Sequence, residues 1–121
     1  MSKNKPIVYS CSGCSSAAQM ANYIAIKIDR QKIAEMSCIA GVGGDVTSLV
    51  NFAKSGRQII TIDGCPLKCC QACLKRHDLH PTEAFVLSEF KVKKKLGEDF
   101  DKDQADIILN QIEQNILQKL K

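Results

Sequence analysis

The chain has 121 residues, 45% of them hydrophobic, with a formal net charge of +4 from 17 basic and 13 acidic residues. That length holds one core, and with Leu, Ile, Val and Phe at 32 positions the chain is too apolar to stay disordered, so a single domain over residues 1–121 is expected. No run of about 18 apolar residues exists to span a membrane, Met1–Pro6 lacks the apolar stretch of an export signal, and the charge is too modest to call for nucleic acid.

Short β-rich runs alternate with helical patterns, which predicts βαβ units and a parallel sheet. The first strand is Pro6–Ser10. A helix opens at Ser16, where Ser16-x-x-Gln19 reads as a capping box, and its apolar positions Ala17, Met20, Ala21, Ile24 and Ile28 carry it to Arg30. Met36–Ala40 forms a shorter second strand. Gly41-Val42-Gly43-Gly44 is a turn expected to let the backbone pass close to the cysteine crevice, and Asp45 caps a helix with Val46, Leu49, Val50 and Ala53 on one face. Gln58–Ile62 is a β-branched run suited to a buried parallel strand. Asp63-Gly64 turn the chain, with Asp63 accepting from a turn amide. Cys65-Pro66 then supply an N-cap and a proline at the first helical position of a helix reaching His77. Ala84–Ser88 is the fourth strand, and Lys91-Val92-Lys93-Lys94-Lys95 is a solvated basic loop. Asp101–Leu120 closes the chain as a helix with acidic residues first, lysines last and a stripe through Ala105, Ile108, Ile112, Ile116 and Leu120. The expected fold is α/β: a small doubly wound three-layer α/β/α sandwich on a four-stranded parallel sheet of order 2-1-3-4.

Seven cysteines are the compositional outlier. Without an export signal the expected compartment is the cytoplasm, where clustered cysteines point to metal or redox chemistry before disulfides. Cys11 and Cys14 follow strand 1, and Cys65 and Cys69 follow strand 3. In a 2-1-3-4 sheet those strand ends are neighbours at the topological switch point, where open α/β sheets bind ligands. Two close-spaced thiol pairs beside helix N-termini suit a tetrathiolate site. Zinc, redox-inert and tetrahedral, is the expected occupant, and an iron–sulfur cluster would accept the same ligands.

Cys11-Ser12-Gly13-Cys14-Ser15, Ala40-Gly41-Val42-Gly43-Gly44, Asp63-Gly64-Cys65-Pro66-Leu67-Lys68-Cys69 and Val92-Lys93-Lys94 together resemble the DGC-domain family, named for its Asp-Gly-Cys motif and described as zinc-binding. The resemblance implies that the family's four cysteines are Cys11, Cys14, Cys65 and Cys69, with Cys70 and Cys73 as additions. It implies no reaction. An alternative reading is a thiol redox or sulfur-transfer enzyme with Cys11 as low-pKa nucleophile and Cys14 as resolver. A third is an oxyanion site at the helix capped by Ser16, which the absence of arginine between Cys11 and Met20 weakens. Cys38 reads as a core residue or a spare ligand, and Cys70 as incidental. Cys73 and His77 could form a second half-site, although a solvated turn is the plainer reading of His77 and His80. The expected partner is the metal ion, with no nucleic acid and no membrane, and the sequence names no protein partner for or against.

Overall fold

The β-branched runs pair side by side. In the computed structural model, which describes residues 5–120, β1 (Ile7–Ser10), β2 (Glu35–Met36), β3 (Ile59–Asp63) and β4 (Glu83–Val86) form one parallel sheet of order β2-β1-β3-β4. Met1–Asn4, most of the stretch read for an export signal, and Lys121 lie outside the described residues. The central pair is in register from Ile7 opposite Ile59 to Ser10 opposite Ile62. Every residue of β1 and β3 is buried, as expected of strands covered on both faces.

Alternation along the strands divides the core in two. Val8, Ile60 and Ile62 face α1 (Ser16–Arg30) and α5 (Lys102–Lys119), meeting Met20, Ala21, Ile24 and Ile28 from the first helix and Ile108, Ile112 and Ile116 from the last. Ile7, Tyr9 and Ile59 face the opposite layer, meeting Val42 of α2 (Ile39–Gly43), Ala53 of α3 (Thr47–Ala53), and Cys70 and Leu74 of α4 (Cys69–Lys75). The sandwich is therefore three-layered, as its sequence pattern predicted. The Asp101 side chain caps α5 by accepting from the Gln104 amide at 3.2 Å.

Four local expectations are corrected. The cap of α1 is Ser15, whose Oγ accepts from the Ala18 amide at 3.1 Å; Ser16 is already helical, and Gln19 reaches back to the Gly13 carbonyl. The second strand stops at Met36, and the stretch read as strand end plus glycine turn is the short helix α2. Its glycines serve close packing there: a Cβ on Gly41 would lie 2.0 Å from Leu49 Cδ1, and one on Gly43 would lie 2.8 Å from Cys73 Sγ. Asp45 does not cap α3. It adopts φ +64°, and Val46 precedes the helix without a side-chain cap. Finally, α4 begins at Cys69 rather than Pro66, behind Lys68 in the left-handed conformation, so Cys65–Lys68 is a turn and Cys65 is not on the helix.

Candidate functional site

The β1–β3 ladder runs one residue beyond the strand: the Cys11 amide donates to the Ile62 carbonyl at 3.1 Å, which fixes the start of the first cysteine loop against the end of β3. Across that seam the Gly64 amide donates to Cys11 Sγ at 3.1 Å. The second loop is seated by its glycine. A Cβ on Gly64 would fall 2.7–2.9 Å from the backbone of Ala17 and Ala18, so the first turn of α1 leaves room only for hydrogen at this position.

Asp63, the last residue of β3, is wholly buried. Its carboxylate accepts from the Cys70 amide at 2.8 Å and the Gln71 amide at 3.4 Å, so it caps α4 across the cysteine turn rather than bonding within that turn. Burial raises its pKa in spite of those amides. The Asp-Gly-Cys run thus has three separate tasks: hold the start of α4, pass against α1, and present a thiol.

These constraints bring the two distant cysteine pairs together. One cavity of about 220 Å³ is lined by Cys11, Cys14, Cys65 and Cys69, with Gly64, Leu67, Lys94 and Leu96 among its walls. Cys14 and Cys69 are exposed; Cys11 and Cys65 are half-buried. Burial pushes the Cys11 thiol up to about 11; the Gly64 amide opposes this, and the nearby Asp63, Cys69 and Cys65 add to it. A low-pKa nucleophile at Cys11, as the redox alternative requires, is corrected by that burial.

The donor set suits a borderline-soft cation, since thiolate sulfurs crowd one another and a dication would relieve their repulsion. The thiols are gathered but not closed on a point: among the described residues no group of three or more His, Cys, Asp or Glu is arranged to hold a metal ion.

The remaining cysteines lie elsewhere. Cys38 is exposed ahead of α2, and Cys70 is buried in the core, where desolvation raises its pKa. Cys73 is half-buried against Gly43. His77 does not join Cys73. Its Nε2 lies 2.9 Å from the Val42 carbonyl and 3.0 Å from Asp45 Oδ1, and Arg76 pairs with the same carboxylate at 2.7 Å, so the expected solvated turn is a latch between α2 and α4.

Sequence reasoning also missed Lys94. Its Nζ lies 3.7 Å from Cys65 Sγ. The signal was present in the basic run and in the Val92-Lys93-Lys94 segment of the family resemblance, but neither distinguishes the lysine that faces the thiols from its neighbour Lys93.

A model of the DGC domain matches residues 7–112, and the chain belongs to the DGC-domain family. The matched span holds both cysteine loops, Lys94 and the greater part of α5. The chain is also similar to the anaerobic and virulence modulator AnvM of Pseudomonas aeruginosa, at 53% identity over 108 residues that cover 89% of this chain and 82% of that protein. No solved structure matches the chain.

Proposed function

We propose that this protein binds one zinc ion through Cys11, Cys14, Cys65 and Cys69. The carrying observation is that thiols from two separate loops line one cavity at the carboxyl ends of neighbouring parallel strands. Each ligand would shed its proton on binding, so proton and metal compete at these sulfurs and affinity would rise with pH. Closure requires movement of the exposed Cys14 and Cys69 side chains, while Cys11 stays tied by the Gly64 amide. Zinc held by four thiolates supplies a fixed, redox-inert cross-link and keeps no open position for water. Storage, sensing or transfer of the metal therefore fits the site better than hydrolysis. A sensing role agrees with the name of the Pseudomonas relative, an anaerobic and virulence modulator. The reducing cytoplasm is the compartment in which seven free thiols persist.

Elemental analysis of untagged protein purified without oxygen tests the reading, with thiol titration on the same sample. The expected result is about one zinc per chain and four thiols shielded until a chelator is added. Cys11→Ser and Cys65→Ser are expected to lose metal equally. Iron with sulfide in place of zinc would assign a cluster to the same ligands. Metal-free protein with Cys11 and Cys14 cycling between dithiol and disulfide would replace metal binding with the redox alternative, for which their shared cavity directly after a strand speaks.

A further inference from the structure

The basic run is a strap, and its residues are divided between two cavities. It is held to the start of α1 by the Ser16 amide donating to the Lys95 carbonyl at 2.8 Å and by the Lys95 amide donating to Ser16 Oγ at 3.0 Å. Ser16 Oγ also donates to the Lys93 carbonyl at 3.5 Å, and Leu96 bridges to Ser15 in antiparallel fashion. With the backbone fixed in this way, side chains from Lys93 to Leu96 fall alternately on two sides, while Lys91 and Val92 share the side of Lys93. Lys93 and Lys95 line a cavity of about 370 Å³ that also holds Asp99 and Asp101. Lys94 and Leu96 line the thiol cavity. Lys94 is the one cation among the residues lining that cavity, and its ammonium points at Cys65 Sγ from 3.7 Å.

We infer that Lys94 is a positioning residue of the thiol site: its ammonium donates to the Cys65 sulfur and offsets the negative charge of the assembled thiolates. The inference rests on the proposed metal reading for its purpose, and on the strap's geometry for its contact. Four thiolates around a dication carry two surplus negative charges in a partly apolar pocket, and a donor to one sulfur offsets one of them. A cation fixed beside a single thiol also makes Cys65 unlike the other three, which spacing alone does not.

Two measurements separate the contact from its purpose. In the metal-free protein at fixed pH, Cys65 is alkylated in parallel with iodoacetate, an anion, and iodoacetamide, which is neutral; the ratio of the two rates reports local positive charge and cancels the thiolate fraction. Lys94→Met is expected to lower that ratio at Cys65 by about threefold. Lys94→Arg should keep it, and Lys93→Met, altered on the same strap but facing the other cavity, should leave it unchanged. In the zinc-loaded protein, competition with a chelator should show affinity falling by roughly 10- to 100-fold in Lys94→Met, restored in Lys94→Arg. An unchanged alkylation ratio in Lys94→Met overturns the contact. A lowered ratio with unchanged zinc affinity overturns its role at the metal. A wild-type protein that takes up no zinc overturns the metal reading instead, and the alkylation ratio then decides Lys94 by itself.

Discussion

Gly64 is bound by sterics on one side and by chemistry on the other: its Cα hydrogens face the Ala17 backbone while its amide serves Cys11 Sγ. Gly64→Ala forces the second cysteine loop away from α1, and because the obstacle is backbone it cannot swing aside. The expected loss is about 1–3 kcal/mol in denaturant unfolding, together with weaker metal retention. At Asp63 the two natural comparisons diverge. Asp63→Ala leaves the buried Cys70 amide without a partner and is expected to cost about 1–3 kcal/mol, whereas Asp63→Asn keeps an acceptor oxygen in place and should cost less. Both are read by the same unfolding titration, and equal losses would show that charge rather than acceptor geometry holds α4. The roles of these two residues were only partly legible beforehand. A motif of Asp, Gly and Cys announces a turn, but it does not reveal that the aspartate reaches past the turn to a helix beginning six residues later, since that depends on where Lys68 turns left-handed.

At the level of elements, β1, β3 and the two long helices stood in the sequence because each carries a full period of buried side chains, whereas β2, with two half-buried residues, did not. The helices of the α2–α4 layer are short, with five, seven and seven residues, and offer too little periodicity to fix their ends. The layer packs on the sheet through Val42, Ala53, Cys70 and Leu74, and the Asp45 latch adds a side-chain tie between α2 and α4 that can be tested. Hydrogen bonding from Arg76 holds the Asp45 carboxyl below its ordinary value of 3.8, with His77 assisting. A carboxyl lowered in this way contributes stability that is fully present above its unfolded value and is lost as pH falls through the folded one. Asp45→Asn keeps a residue tolerant of the positive φ at this position, so it removes charge with little backbone cost. The variant is expected to melt slightly below wild type at neutral pH, with the gap closing in acid beneath pH 3.8; the exposure of the pair keeps the effect small. Calorimetry across that range checks it, and a gap that persists in acid would mean the carboxylate acts through something other than its charge.

Over the whole molecule, the core and the cysteine cavity are separable. Both hydrophobic clusters are built from sheet and helix side chains, and of the four cavity cysteines only Cys11 packs against them, at their margin. Metal removal is therefore expected to leave a cooperatively folding protein whose melting temperature rises again with added zinc, in proportion to the logarithm of its concentration above the dissociation constant. Chelation that abolishes the cooperative transition would mean that the cross-link holds the fold itself. The position of the cavity was legible because topology alone places the ends of β1 and β3 side by side. The cation at its wall was not, because the strap's side of approach depends on Ser16, a residue read only as a helix cap. That dependence makes the strap a device of parity. Lysine repeats at 93, 94 and 95 look interchangeable as composition, yet a single residue inserted or removed between Val92 and Lys95 would exchange the faces of those that follow and leave net charge almost untouched. In this segment, position along the chain decides which cavity each lysine faces, so equal composition does not mean equal role.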